Sequence, residues 1–345
     1  SVGGMENFSY SLLNGLDDRL INKKIIALGK SQKNLIWFLP YCIIYTLITI
    51  RKWDVIYVGD AVLCSIGFLA KKISPKIKTV INVYGLDITF PNLLYQFYLK
   101  LFYNNFDRYI CISKETDEKF KSRGGKRSMV ITPGVDVNKF SNTKRNRTDF
   151  DKKYGISSND LVVLTVGRLV KRKGVAWFVE NIMANFKGEN IVYLIVGDGE
   201  DKHEISLLIK KYGLKNEVRL LGKVSDNDLN EIYVNSDVFV MPNIVVENDM
   251  EGFGIVAIEA SLGGLIVIAS GIEGINDAIS DMENGIIMKS GDSNQYLNRI
   301  EDILYNREKY NVLAREFREY TKNKFSWERI CQEYTELFIE LTSKK

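Results

Sequence analysis

Two glutamates at the ends of a glycine-containing apolar run are the residues best suited to chemistry. Glu251 and Glu259 enclose the segment GFGIVAI. A carboxylate is costly in an apolar stretch unless it is paired or hydrogen-bonded. Because it only accepts hydrogen bonds, a pair facing one cleft suits a ligand rich in hydroxyls, such as a sugar or a ribose. A lone surface glutamate plus a helix-capping glutamate is the alternative that this motif alone leaves open.

The residues between the two glutamates predict a loop that leads into a helix. Gly252 and Gly254 permit close backbone approaches, and the pattern that begins at Ile255 has helical character. The start of a helix presents free N–H groups, which bind phosphate or sugar oxygens. Glu259 would then lie on the first or second helical turn and reach back toward the same pocket.

A basic loop at residues 166–174, VGRLVKRKG, is the second candidate. A strand would deliver Gly167 to a turn, after which Arg168 and Lys173 can point toward the carboxyl edge of a sheet. Fixed cations at that edge would neutralise a diphosphate. Solvated loop charges are the alternative.

Other signals in the sequence are weaker. VGDGE at 196–200 follows a strand but lacks the full GxGxxG spacing, so a nicotinamide-dependent enzyme has little support. The single histidine, His203, excludes a His-rich metal centre. Asp226 and Asp228 are more simply residues of a helix N-terminus. The sequence therefore predicts no metal.

The elements that must position these residues alternate between short apolar runs and helical patterns, which predicts parallel sheets covered on both faces. A polar stretch, 138–160, separates two such series, so we expect two α/β domains with the ligand in a cleft beyond the carboxyl ends of the strands. The runs are DVIYVGD, TVINVYG, RYICIS and SMVITPGVD, then LVVLTVGRL, NIVYLIVGDG, EVRLLG, DVFVMPN, LIVIASG and NGIIMK.

Composition agrees with an ordered protein of two domains. The chain has 345 residues, 46% hydrophobic and 26% charged, with five prolines, so one core would not organise it and disorder is not expected. The four cysteines, without a CxxC pair, indicate buried thiols in a reducing compartment.

Charge and hydropathy set the N-terminal part of the chain apart. Residues 1–145 hold 22 Lys/Arg and 11 Asp/Glu, which would suit an anionic partner, although solvated surface lysines explain it as well. The apolar stretch Leu35–Ile50 is short for a membrane span. We expect a buried helix that leads into a strand, with a surface helix touching lipid as the alternative.

Taken in order, these pieces resemble the retaining glycosyltransferases of family 4, which have the GT-B fold of two Rossmann-like domains facing each other across a cleft. The most specific part is Glu251 and Glu259 at their spacing with Arg168 and Lys173. The other matching segments are GGMEN, ICIS at 110, TPGVD, VGDGE, DVFVMPN and FSWERICQEY at 325.

The resemblance implies a role for each candidate in binding a nucleotide-sugar donor. Arg168 and Lys173 would hold the diphosphate and Glu259 the ribose hydroxyls, while Glu251 with the backbone of Phe253, Gly254 and Ile255 would hold the transferred sugar. The two charges would thus be kept because the ligand supplies their hydrogen bonds. Gly222 and Val224 would lie near the base, and the loop of Gly3 and Gly4 near the phosphates.

The resemblance also implies a domain plan. An N-terminal acceptor-binding domain would span 1–145. Ser1 to Gly4 have the character of a loop that follows a first strand, and the sequence leaves open whether the chain is trimmed there or the fold tolerates the loss of that strand. A donor-binding domain would span 146–325, and a terminal helix, 326–345, would cross back to the first domain. No divalent metal or other cofactor is expected, since basic side chains and helix starts would meet the phosphate charge.

One position departs from the family. Many members carry a histidine that faces the donor sugar, where this chain has Tyr84. Tyrosine is a poor base at neutral pH. Asp87, and Asp60 at the end of the preceding strand, are candidates for positioning the acceptor or the sugar. A non-catalytic GT-B protein that binds a sugar or a partner is the alternative.

The resulting expectation is a cytoplasmic hexosyltransferase that uses a UDP- or GDP-sugar in the synthesis of cell-envelope polysaccharide or a glycoconjugate. Its acceptor would be a glycan or a lipid-linked saccharide. The basic N-terminal half, with the aromatic and cationic segment 95–109, would favour a peripheral position at the anionic inner face of a membrane. No nucleic-acid partner is expected.

Overall fold

The computed structural model describes residues 4–16, 20–28, 35–247 and 249–343. The chain forms two compact units, the first made of Ser1–Gly134 with Trp327–Lys345 and the second of Val135–Ser326. The sequence had placed the first junction after residue 145. Residues 135–145 instead belong with the second unit, where Arg145 pairs with Asp237 at 2.6 Å.

The first unit contains a four-stranded parallel sheet in the order β1-β2-β3-β4. The strands are Val55–Val58 (β1), Lys78–Val83 (β2), Arg108–Cys111 (β3) and Ser128–Val130 (β4). The helices are Gly4–Gly15 (α1), Leu35–Thr49 (α2), Cys64–Ile73 (α3), Leu86–Thr89 (α4), Leu93–Phe102 (α5), Lys114–Ser122 (α6) and, from the C-terminus, Trp327–Ser343 (α15).

Local sequence accounts for where these helices begin. Asn92 and Ser113 precede α5 and α6, and each side chain accepts a hydrogen bond from a backbone N–H of the first turn. Helix α3 covers β1 and β2, so the apolar residues of β2 are buried. Helix α15 packs against α1, where the rings of Phe8 and Trp327 lie 5.4 Å apart.

The second unit contains a six-stranded parallel sheet in the order β10-β9-β8-β5-β6-β7. The strands are Leu161–Val166 (β5), Ile191–Val196 (β6), Val218–Gly222 (β7), Val238–Met241 (β8), Ile266–Ser270 (β9) and Ile286–Met288 (β10). The helices are Arg147–Tyr154 (α7), Val175–Asn181 (α8), Lys202–Tyr212 (α9), Asp226–Asn235 (α10), Ile255–Gly263 (α11), Ile275–Ala278 (α12), Ser293–Tyr305 (α13) and Arg307–Phe325 (α14).

Burial on both faces explains why these strands read as continuous apolar runs. Every residue of β5, β6, β8 and β9 is buried. Large side chains from helices on the sheet complete this core, among them Phe178, Tyr296 and Phe317. Each of the ten predicted strand segments overlaps one of the observed strands, and the prediction of an α/β protein with parallel sheets is confirmed.

The prediction of a buried helix in Leu35–Ile50 is wrong for one face of α2. The helix runs through Pro40, and among its described side chains, from Ile36 to Thr49, Cys42 alone is fully buried. Its other face is apolar and exposed, including Trp37 and Ile48. Across the part of the chain that the structure describes, no helix combines the length and the hydropathy needed to cross a bilayer.

Candidate functional site

The order of strands in the second unit brings two loops together at one point of the sheet. The strand order turns at β5 and β8, which are neighbours although they are distant in sequence. The crevice beyond the carboxyl ends at such a point is where open α/β sheets bind ligands. The loop after β5 carries Lys173, and the loop after β8 carries Glu251.

Gly174 explains how closely these loops approach. Its φ is +64°, and a Cβ placed there would lie 1.9 Å from the carbonyl oxygen of Pro242, in the loop after β8. No other residue fits this conformation and this space at once. The backbone contact holds the basic loop beside the loop of Glu251.

The Glu251 carboxylate is buried among donors. The Nζ atom of Lys173 lies 2.5 Å from its Oε2 atom, and the Asn243 side-chain amide donates to the same oxygen at 3.1 Å. The Nε atom of Arg172 is 3.7 Å away. The backbone N–H of Glu251 in turn donates to Glu273 at 2.5 Å. The side chain is therefore fixed in position.

These contacts determine the charge of Glu251. Burial by itself would raise the pKa of the carboxyl, but Lys173, then Arg172, and the Asn243 hydrogen bond favour the ionised form more strongly, so its pKa is lowered. Glu251 is thus a carboxylate at neutral pH and can accept hydrogen bonds from hydroxyl groups.

The predicted loop and helix start are present directly after Glu251. Gly254, with φ +83°, immediately precedes α11, whose first residue is Ile255. Phe253 is buried and its ring packs 6.0 Å from that of Phe325, so its side chain belongs to the core and only its backbone can serve a ligand. The free N–H groups of the first turn suit phosphate or sugar oxygens.

Glu259 follows on α11 and also has a protein partner. Its Oε1 atom lies 2.5 Å from Nζ of Lys139, and Tyr233 donates to Oε2 at 3.4 Å. Burial, and then the charge of Glu259, raise the pKa of Tyr233 well above its ordinary value, so the phenol keeps its proton. A ligand is therefore not the sole source of hydrogen bonds for either glutamate, because a lysine lies against each.

Arg168 and Lys173 have different surroundings. Arg168 pairs with Glu200 at 3.1 Å, and its side chain is 69% exposed, whereas that of Lys173 is 11% exposed. Arg168 thus lies on the surface of the loop and would have to exchange Glu200 for a phosphate. Gly222 ends β7 with φ +67°, and Val224 follows it before α10.

The first unit holds a second group of candidates, at the ends of β1 and β2. The Asp87 carboxylate accepts a hydrogen bond from the backbone N–H of Tyr84 at 3.0 Å, and Asp60 accepts one from Val62 N–H at 2.8 Å. The Tyr84 hydroxyl receives a 3.4 Å hydrogen bond from Asn82, whose own oxygen accepts from Tyr334 on α15. Tyr334 on the terminal helix thereby holds the Asn82 side chain that donates to Tyr84.

Burial controls ionisation in the first unit. Burial, and then repulsion from Asp60, raise the pKa of Asp87 to about 7. Burial also raises the pKa of Tyr84 above its ordinary value. Asp87 can therefore take up or release a proton near neutral pH, and Tyr84 remains a phenol.

Some predicted residues fall elsewhere, and some neighbours were missed. Gly3 lies outside the described residues, and Gly4 begins α1. Sequence reasoning passed over Arg172, although it adjoins Lys173 in the same basic run. It also passed over Asn243 and Lys139, which carry no motif that would mark them. Among the described residues, no three His, Cys, Asp or Glu side chains are grouped so that they could hold a metal.

Comparison with solved structures identifies the fold. The chain superimposes on Anabaena HepE in complex with UDP-glucose with a TM-score of 0.76, covering 99% of this chain and 97% of that one at 21% identity. WaaG, a glycosyltransferase involved in lipopolysaccharide biosynthesis, gives a TM-score of 0.69 at 16% identity, covering 98% and 96%. The fold is the GT-B fold of glycosyltransferases.

The sequence places the chain in a family. The model of the family described as "Glycosyl transferases group 1" matches residues 146–323, and that of "Glycosyltransferase Family 4" matches residues 2–139. The chain belongs to these family 4 glycosyltransferases.

Two curated relatives illustrate the range of similarity. An Escherichia coli UDP-Gal:alpha-D-GlcNAc-diphosphoundecaprenol alpha-1,3-galactosyltransferase is 26% identical over 340 residues, which is 93% of this chain and 82% of that protein. An uncharacterized glycosyltransferase of Methanocaldococcus jannaschii is 24% identical over 192 residues. That match covers 56% of this chain and less than half of the relative, 48%.

Proposed function

We propose that this chain is a retaining glycosyltransferase that moves a hexose from a nucleotide-diphosphate sugar, with UDP or GDP as the nucleotide, to a glycan or a lipid-linked acceptor. The observation that supports it most is the buried, ionised Glu251, held by Lys173 directly before the glycine loop and start of α11. The fixed carboxylate can accept hydrogen bonds from the sugar hydroxyls, and the free N–H groups beside it can donate to the phosphate oxygens. The site therefore suits both the sugar and the diphosphate of a nucleotide sugar.

The roles follow from the surroundings of each residue. Glu251 would accept hydrogen bonds from the hydroxyls of the transferred sugar, and the backbone at Gly254 and Ile255 would contact its polar atoms. Lys173 would direct one of its ammonium N–H groups to the diphosphate. Arg168 would bind the diphosphate as well, after its side chain has separated from Glu200. Glu259 would accept from the ribose hydroxyls, with Lys139 and Tyr233 fixing its orientation.

The transfer needs no protein nucleophile. The acceptor oxygen would form its bond to the anomeric carbon on the face from which the diphosphate leaves. The bond from that carbon to the diphosphate oxygen breaks, and the leaving oxygen takes the acceptor proton. The protein would then supply orientation and charge stabilisation. We propose that cationic side chains and helix starts do this without a divalent metal.

A cytoplasmic enzyme of cell-envelope polysaccharide or glycoconjugate synthesis, peripheral at the anionic inner face of a membrane, is the setting that we propose. The Escherichia coli relative is named for an acceptor that carries diphosphoundecaprenol. The alternative, a GT-B protein that binds a sugar without transferring it, is motivated by Tyr84 in place of the histidine of many members.

A thermal-shift panel with UDP, GDP, ADP, CMP and NAD tests the donor site. A nucleotide at 100 times its dissociation constant stabilises the protein by about 2.7 kcal/mol, which raises the melting temperature by several degrees. We expect one nucleoside diphosphate to stabilise the chain selectively. That nucleotide's sugars then enter a transfer assay, where stabilisation without any transfer would favour the binding-protein alternative. Equal, negligible shifts for all five would contradict the donor site.

A further inference from the structure

Helix α2 presents an exposed, mostly apolar face that contains no charged side chain. The exposed positions recur at helical spacing, so they form one stripe, and Trp37 at its start is 80% exposed. The helix has no charged residue over its 15 positions. The residues of this stripe are Ile36, Trp37, Pro40, Tyr41, Ile44, Leu47 and Ile48.

Helix α5 presents a similar stripe in the same unit. Its exposed apolar residues are Leu93, Leu94, Phe97 and Leu101, with Leu93 88% exposed, and Phe90 just before the helix is exposed as well. The only charged residue of the helix is Lys100, which lies on the exposed face. Exposed apolar area of this extent marks an interaction surface on a protein that is otherwise well packed.

A third helix links the two stripes and adds positive charge. Helix α3 packs against both α2 and α5, and its last turn carries the exposed Lys72 next to Lys71, which pairs with Asp107. None of the three helices contains an Asp or a Glu. Apolar faces accompanied by the exposed Lys72 and Lys100 complement an anionic lipid surface. A second copy of this chain would bring these like charges face to face.

We infer that α2 and α5 form a docking surface that inserts its apolar stripes into the interface of an anionic bilayer. The two helices would lie along the bilayer surface, with Trp37, Phe97 and their neighbours at the level of the headgroups and upper acyl chains. The lysines beside the stripes would contact phosphate groups.

This inference deepens the proposed function, because a surface of this kind would bring the first unit to a lipid-linked acceptor. The two are nevertheless separable by experiment. Binding to vesicles requires neither a donor nor transfer, and the nucleotide panel requires no lipid. If a nucleotide stabilised the chain selectively but the chain did not bind vesicles, the docking surface would be overturned and the proposed function would stand.

Flotation with vesicles tests the surface. The full chain is mixed with vesicles of phosphatidylcholine, or of equal parts phosphatidylcholine and phosphatidylglycerol, at low and at high salt. We expect binding to the anionic vesicles, a blue shift of tryptophan emission on binding, and weaker binding at high salt. Equal and negligible recovery with both vesicle types at low salt would overturn the inference.

Substitutions locate the surface. Ile44→Glu with Ile48→Glu in α2, and Leu94→Glu with Phe97→Glu in α5, should each lower vesicle affinity by roughly tenfold or more. The matched control is Leu207→Glu in α9 of the second unit, 53% exposed against 56% for Ile44, which should bind as the unchanged chain does. All variants should keep the nucleotide-induced thermal shift.

Charge variants and sedimentation complete the test. Lys72→Gln with Lys100→Gln should reduce the preference for anionic over neutral vesicles while the apolar stripes remain. A loss of binding caused equally by Leu207→Glu would contradict the location. A concentration-dependent dimer that the Ile44 and Phe97 substitutions disperse, without vesicle binding, would assign the surface to a second copy of this chain.

Discussion

Lys173 and Glu251 form an ion pair of 2.5 Å in which each side chain is only 11% exposed. They come from the loops after β5 and β8, two strands that lie side by side, although Lys173 and Glu251 are 78 positions apart in sequence. A buried ion pair is costly to assemble and still more costly to break. Under the proposed function, this pair would offer a cation to the diphosphate and a hydrogen-bond acceptor to the sugar hydroxyls.

Breaking this pair should destabilise the second unit. Lys173→Met leaves Glu251 buried without its nearest cation and should lower the free energy of unfolding by about 3 kcal/mol. The double variant with Glu251→Gln should recover most of the loss, since no charge is left unpaired. Arg168→Met, which breaks an exposed pair, should cost less than about 1 kcal/mol. Urea titration followed by circular dichroism measures all three, and equal losses for Lys173→Met and Arg168→Met would contradict the burial argument.

Substitutions of Glu259 and Lys173 should affect the binding of a nucleoside and of its diphosphate differently. Glu259→Gln should weaken the binding of the nucleoside and of its diphosphate by the same factor, roughly tenfold, because Glu259 would contact the ribose that both ligands share. Lys173→Met should weaken the diphosphate far more than the nucleoside, because it removes a charge-assisted contact to phosphate. Isothermal titration calorimetry with both ligands checks this. Equal losses for both ligands in Lys173→Met would contradict its role.

Gly174 offers a steric test with an internal control. Gly174→Ala and Gly264→Ala both force a side chain into a positive φ, +64° and +90°, which costs about 1 kcal/mol. Only at Gly174 does the new Cβ meet the carbonyl oxygen of Pro242, whereas at Gly264 no heavy atom lies within 4 Å. Gly174→Ala should therefore lower the melting temperature by several degrees more than Gly264→Ala. Similar shifts would mean that the two loops separate readily.

Asp87 should make the stability of the first unit depend on pH. Its pKa is about 7 in the folded chain, against a reference value of 3.8. Between these values the folded state holds a proton that the unfolded state has lost, so stability falls as pH rises, by up to about 1.4 kcal/mol per pH unit. Asp87→Asn keeps an oxygen for the Tyr84 N–H and should flatten this slope. Melting temperatures of both proteins between pH 4 and 8 test this. If the melting temperature changed with pH equally in the wild type and in Asp87→Asn, Asp87 would not be the cause.

Tyr84 should contribute little to proton transfer. Its raised pKa keeps the phenol protonated, and the leaving diphosphate is the proposed base. Tyr84→Phe removes one 3.4 Å hydrogen bond with Asn82 and should lower kcat/KM by no more than about fivefold. The pH profile should keep its shape. If Tyr84→Phe abolished the change in kcat/KM at alkaline pH, or lowered kcat/KM by about a thousandfold, Tyr84 would be the general base.

Local sequence was sufficient to predict most helices and strands and the α/β fold class. The apolar runs of β5 and β6 are continuous because helices cover both faces of the sheet, and that pattern is visible without coordinates. Gly254 before an apolar helical pattern likewise indicated the start of α11. Sequence reasoning failed at α2, because an apolar helix at a protein surface has the same composition as a buried one.

The sequence by itself determined the two parallel α/β units and the family, and it marked the candidate site residues, since periodicity and motif spacing are local properties of the chain. Only the tertiary structure decided the partners of those residues. Contacts such as Lys139 with Glu259, 120 positions apart, or Asn243 with Glu251, depend on which strand ends lie side by side. Exposure is decided in the same way, because it depends on what packs against a helix and not on the residues that the helix contains.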